Sequence, residues 1–189
     1  MGSLISKLSK QLISFDFYDS PISYQRNESD DPSVDASSYK QWWNATRDNV
    51  LTNPEYDTAT ESVSNLLKKW ESAEYDGILG FSQGSVLTQI FTYQIQMKII
   101  KTYNPKFVIL SSTFPITDVK LKSYYETLLD VPTLVMYGSR DTFVTKEQTI
   151  ETSKYFKNAT LLEHSGGHYV SSNQFAIEGV RNFLQPFTI

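Results

Sequence analysis

Apolar residues along the chain fall into two kinds of run that alternate from end to end. Short, nearly continuous runs rich in Ile, Val, Leu and aromatic residues occur at 12–19 (LISFDFYD), 76–81 (DGILGF), 106–112 (KFVILSS), 133–138 (TLVMYG) and 159–164 (ATLLEH). Runs of this length and composition predict strands, most of them covered on both faces. Between them the apolar positions recur at helical spacing. Thr58 and Glu61 form a capping box ahead of Val63, Leu66, Leu67 and Trp70, apolar positions that lead into the second strand. A long helix is expected from Ser82 to about Lys101, apolar around most of its circumference and therefore buried. Thr145 and Gln148 cap another helix, and Ala176, Ile177, Val180, Phe183 and Leu184 mark a last amphipathic one. This alternation predicts an α/β fold, a three-layer αβα sandwich with a mostly parallel sheet.

One stretch breaks the alternation. From Ser20 to about Pro54 there is no sustained period, and Asn27 to Asp35 are rich in Asp, Glu and Ser. It reads as a long surface excursion, of the kind that often shapes a binding site.

Composition narrows the classes of function. The 189 residues, 40% apolar, suffice for one core, so a single domain over 1–189 is expected. A net charge of −4, with acidic and basic residues interspersed, argues against nucleic acid as a partner. No apolar stretch approaches the roughly 18 residues of a membrane span, and no apolar leader opens the chain. With no cysteine, thiol nucleophiles, disulfides and thiolate metal sites are excluded, and two histidines leave little for a metal centre. A cytoplasmic location, with the nucleus also open, is the expectation. The N-glycosylation triplets at Asn27, Asn44 and Asn158 would then go unused. Met1-Gly2-Ser3-Leu4-Ile5-Ser6 matches the pattern for N-myristoylation at Gly2. Chance gives that match to roughly one chain in a hundred, and the unmodified reading is preferred.

The chemistry concentrates at Gly80-Phe81-Ser82-Gln83-Gly84, where the strand 76–81 ends and the long helix begins. A Gly-x-Ser-x-Gly pattern at a strand-to-helix turn is the nucleophile elbow, a turn so tight that glycines flank the serine and its hydroxyl projects above the sheet. The bare pattern arises by chance in about 6% of chains of this length, so the strand-to-helix context carries the weight. The backbone N–H of Gln83 is then an oxyanion-hole donor. A serine needs a base, and in this arrangement the partners follow in the order serine, acid, histidine. Asp141, three residues past the strand TLVMYG, stands where a carboxylate could orient an imidazole; Asp118 and Asp130 are rivals that do not directly follow a strand. His168 lies in Ser165-Gly166-Gly167-His168 between the last strand and last helix. His164 competes, but sits within the strand and reads better as a half-buried histidine bonded to a neighbour.

With these residues in view, the chain resembles the FSH family of serine hydrolases, small α/β-hydrolases without a lid. The resemblance rests on Trp42-Trp43, on Tyr75 to Gly84, on Tyr137-Gly138 with Asp141, and on His164 to His168. It implies an α/β-hydrolase fold and places the family's triad on Ser82, Asp141 and His168. It implies an esterase or thioesterase acting on small acyl substrates through an acyl-enzyme, with no cofactor. Trp42 and Trp43 would either line an acyl pocket or plug the excursion onto the sheet.

The chain also departs from the family. Members begin with a strand ending in a His-Gly motif whose loop supplies the second oxyanion donor, and that strand is missing here. Gly2 to Lys10 correspond to a remnant of the helix that follows it, and the sheet is expected to lack its central strand, between LISFDFYD and DGILGF. An unfilled centre threatens several kcal/mol of a stability of only about 5–15 kcal/mol. A chain starting upstream, a shortened variant without activity, or LISFDFYD moving beside DGILGF are the three alternatives. The rival functions are a catalytically impaired remnant that binds or scaffolds, and a flavodoxin-like module in which Gly80 to Gly84 cradle a phosphate. Oligomeric state is not legible.

Overall fold

The computed structural model describes residues 2–8, 13–24, 33, 35, 39–43, 59–117 and 119–188. Thr58, Asp118, Asn27 and Asn44 lie outside the described residues. Four of the five expected strands form one parallel sheet in the order β3-β4-β5-β6: β3 (Gly77–Phe81), β4 (Phe107–Ser111), β5 (Thr133–Gly138) and β6 (Ala159–His164). Helices α2 (Ala59–Glu71), α3 (Gln83–Gln96), α4 (Lys146–Ser153) and α5 (Gln174–Leu184) connect or follow them. A first helix, α1 (Gly2–Leu8), precedes all of these.

Side chains alternate along each strand and so feed two cores. Leu79, Phe81, Ile109, Leu134, Met136 and Leu162 face one side, where Leu4 and Leu8 of α1 and Ile177, Val180 and Leu184 of α5 close over them. Ile78, Val108 and Leu110 face the other side, against α2, α3 and the residues around α4. Each fully buried aliphatic side chain contributes about 1.5–3 kcal/mol of transfer free energy. Helices thus cover both faces of the sheet, and the strands' carboxyl ends meet at one edge.

Two expectations are corrected. The run LISFDFYD does not form a strand over Ile13 to Asp19, which lie in no ladder among the described residues. Its β-forming residues are used by side-chain contact instead. Ile13 and Phe15 join the core with Leu79 and Phe81, Asp16 bonds to Lys69 and Tyr75, and Tyr18 meets Trp42 at 5.8 Å between ring centroids. LISFDFYD therefore has not moved in to pair with β3, which is the edge strand of the described sheet.

The long helix also ends early, at Gln96 rather than near Lys101. Lys98 takes φ 60°, its N–H donates to Ile95 O and the Ile99 N–H donates to Gln94 O, both at 2.9 Å. This is a Schellman stop, with lysine where glycine is usual. Of the two expected capping boxes, the one at Thr145 lies within the described residues and forms. Thr145 and Gln148 make both bonds of a capping box, and Asn173 caps α5 by accepting from the Ala176 N–H. Within the excursion, Ile22–Ser23 (β1) and Lys40–Gln41 (β2) form a two-residue antiparallel ladder.

Candidate active site

Ser82 is the single residue between β3 and α3, with φ 52° and ψ −122°. A left-handed non-glycine residue costs about 1–2 kcal/mol and persists only where its surroundings hold it. Here the Ser82 N–H donates to Ser111 O at 3.0 Å, extending the β3–β4 ladder, and its carbonyl accepts from the Ser85 N–H at 2.9 Å and the Ser85 hydroxyl at 2.6 Å. The turn has no room for a side chain at Gly80, where a Cβ would lie 2.4 Å from Gly84 O and 2.6 Å from Ser85 Cα. As the first residue of α3, Gln83 carries a backbone N–H with no intrahelical acceptor.

Asp141 and His168 come from the loops after β5 and β6, which are stitched together by main-chain bonds. The N–H groups of Ser139 and Arg140 donate to His164 O and Gly166 O, at 2.8 and 2.9 Å. The Arg140 side-chain Nε donates to Ser165 O at 2.6 Å. Gly138 makes this approach possible, because a Cβ there would lie 2.4 Å from Gly166 O.

The stitched loops aim three side chains at one another. Asp141 Oδ1 accepts from the Phe143 and Val144 N–H groups, each at 2.9 Å. Its Oδ2 accepts from His168 Nδ1 at 2.8 Å, and the Ser82 hydroxyl donates to His168 Nε2 at 3.1 Å. The Asp141 side chain is fully buried. Burial pushes its carboxyl up, but the Val144 N–H, the His168 imidazole and the Phe143 N–H outweigh it, so the carboxyl sits below the usual range and is ionised at neutral pH. An ionised acceptor on Nδ1 fixes the tautomer that leaves Nε2 free to accept from the serine.

The rivals lie elsewhere. Asp130 is on the loop before β5 and pairs with Lys157. His164 ends β6 at 2% exposure, more buried than expected, with its Nδ1 accepting from the Gly166 N–H at 3.2 Å. Burial holds its imidazole below the ordinary histidine range, the Asp141 charge opposing.

Several neighbours of the site carried no sequence signal. Phe81 and Phe143 flank the His168 ring, with centroids 4.9 and 5.4 Å away, and Phe143 is 61% exposed. Trp42 lies on the other flank, its indole Nε1 3.1 Å from where a Cβ on Gly84 would stand. Trp43 is fully buried, as expected of a plug between the excursion and the core, and Trp42 is half-buried. Among the described residues no cluster of His, Asp or Glu is arranged to hold a metal, and no helix is long and apolar enough to cross a membrane.

A family model described as serine hydrolase (FSH1) matches residues 1–179. An esterase of Drosophila melanogaster is 33% identical over 126 residues, which cover 66% of this chain and 45% of that protein. Esterase OVCA2 of Homo sapiens is 29% identical over 114 residues, 60% of this chain and 50% of that protein. The chain thus spans about half the length of these relatives. Among solved structures, acyl-protein thioesterase 2 of Zea mays aligns with a TM-score of 0.56 at 17% identity, over 70% of this chain and 66% of that one. That likeness establishes an α/β-hydrolase fold.

Proposed function

The chain belongs to the serine hydrolase (FSH1) family, and from that premise we propose that it hydrolyses acyl esters or thioesters of small molecules through an acyl-enzyme. The observation that carries the proposal is the unbroken hydrogen-bonded chain from Ser82 through His168 to Asp141. Ser82 Oγ attacks the acyl carbonyl while His168 Nε2 takes its proton. The oxyanion is received by the Gln83 N–H, at the positive end of α3. Collapse of the tetrahedral adduct expels the alcohol or thiol, which recovers the proton from His168. Water then attacks the acyl-Ser82 carbonyl, losing its proton to His168, and the acid leaves as Ser82 regains that proton. Asp141 keeps the imidazole in the required tautomer and stabilises its charge throughout.

The test is covalent labelling of the purified chain with a fluorophosphonate probe, beside Ser82→Ala and a heat-denatured control. Labelling of the native chain alone is expected, with ester hydrolysis by Ser82→Ala down by about 10³-fold or more. A cooperatively folded chain that takes no label overturns the proposal.

A further inference from the structure

Gln83 does more than present its backbone N–H. Its side chain reaches back across 41 positions of sequence into the long excursion, where Oε1 accepts from the Trp42 N–H at 2.9 Å. Its Nε2 donates to the Trp43 carbonyl at 3.4 Å. The amide acts as a surrogate strand, grasping one donor and one acceptor of neighbouring backbone groups. Two further anchors hold the same segment. The buried Ser62 hydroxyl on α2 donates to the Trp42 carbonyl, and the Trp43 side chain is fully buried in the core with Val63, Phe91 and Phe114. With its backbone held in this way, the half-buried Trp42 indole is kept against Gly84 and beside the Tyr18 ring.

Aromatic side chains therefore stand beside two parts of the site, His168 and the start of α3. Phe81 and the exposed Phe143 stand beside His168, and Trp42 stands beside the first turn of α3.

We propose that Trp42 is a specificity-determining wall that limits the length of an unbranched apolar acyl chain bound at Ser82, and that the Gln83 side chain is the positioning residue that holds this wall. The proposal rests on the hydrolase reading above and names the acyl group that reading leaves open. Apolar contact with a chain scales with its methylenes, so the wall acts on the ratio of long- to short-chain substrates. An indole fixed to the nucleophile's own helix is better placed to measure that length than one on a free loop.

The test has two arms. In the first, kcat and KM are measured on p-nitrophenyl esters from acetate to dodecanoate for the wild type, Trp42→Ala, Gln83→Leu and Gln83→Glu, each checked for cooperative unfolding. Trp42→Ala is expected to raise the dodecanoate-to-butyrate ratio of kcat/KM by about tenfold or more. Gln83→Leu, which keeps the backbone N–H but loses both side-chain bonds, is expected to flatten the profile, mainly through KM. Gln83→Glu retains the acceptor for the Trp42 N–H and is expected to recover part of it. An unchanged length profile in folded Trp42→Ala and Gln83→Leu overturns the proposal.

The second arm does not require turnover. Ser82→Ala is titrated with decanoate while its tryptophan emission is followed, beside Ser82→Ala/Trp42→Phe. Quenching or a blue shift that disappears with Trp42→Phe supports the wall, and an emission change identical in both proteins overturns it. If the wild type takes no fluorophosphonate label, the hydrolase reading fails, and this arm alone then decides whether Trp42 contacts an apolar chain.

Discussion

The two flanks of the site are built by different means. On the β5–β6 flank, β5 is buried along its whole length and paired on both edges, and the loops that carry Asp141 and His168 are joined by backbone hydrogen bonds. On the β3 flank the strand is paired to β4 alone among the described residues, and four of its five residues are only half-buried. What covers that edge does so through side chains: Ile13 and Phe15 in the core, Asp16 on Lys69 and Tyr75, Tyr18 on Trp42. A main-chain ladder pairs the backbone N–H and C=O groups of neighbouring strands, whereas the described residues beside β3 meet it through side chains alone. Asp141 and His168, whose separation a proton relay would need fixed, stand on the first flank, and Ser82 meets them from the end of β3. On the proposal above, the acyl group would meet Trp42 on the second.

The sharpest way to break this comparison is to disturb the β5–β6 flank electrostatically while leaving its shape. Asp141→Asn keeps an oxygen for the Phe143 and Val144 N–H groups but can present an amide to His168 Nδ1, favouring the wrong tautomer. A fall in kcat of about 10⁴ is expected, with thermal stability close to that of the wild type. A loss below tenfold would mean that His168 is held by packing between Phe81 and Phe143 rather than by the carboxylate.

A smaller effect should come from the β3 flank. Phe15→Ala removes a half-buried ring that packs with the core beside Leu79 and Phe81, and a cost of about 1–2 kcal/mol is expected. Hydrogen exchange read by mass spectrometry should show the 77–81 peptide taking up deuterium sooner in the variant, with 133–138 unchanged. Before any substitution, 77–81 should already exchange ahead of 133–138, because local opening is cheapest where a strand lacks a partner. Equal acceleration in both peptides would show one cooperative sheet and end the distinction between the flanks.

The same contrast explains what the sequence could show. Strands β4 and β5 were legible because burial on both faces demands unbroken apolar runs, β3 because such a run ends in Gly-x-Ser-x-Gly, and β6 by its short apolar run, although Thr160, Leu161 and Glu163 are exposed. The meeting of Ser82, Asp141 and His168 was legible because chain order and strand ends restrict where such a set can stand. Ile13 to Asp19 misled because apolar residues suited to a strand are equally suited to packing onto a core by side-chain contact alone. Only a main-chain partner separates the two, and composition does not encode one. The stop at Lys98 was hidden for a related reason, since lysine does not announce a left-handed residue as glycine does. The Gln83 clamp joins residues some forty positions apart through one amide and leaves no periodic trace.

The least effect, and the most specific to the β5–β6 flank, concerns acid. His164 is buried, and its imidazole is held below the ordinary value near 6.5, so at mildly acidic pH the unfolded chain binds a proton that the folded chain does not. Stability rises with pH wherever the unfolded state holds more protons. The contribution of His164 is therefore complete above about pH 6.5 and is lost as pH falls below it. The slope is at most about 1.4 kcal/mol per pH unit. His164→Asn can still accept from the Gly166 N–H, which leaves the loop bond in place while removing the titration. Urea unfolding between pH 7.5 and 5 should give a shallower decline for His164→Asn than for the wild type. Parallel curves would mean that the β5–β6 loops yield to acid through some other group, and that their main-chain stitching rather than the burial of His164 sets the tolerance.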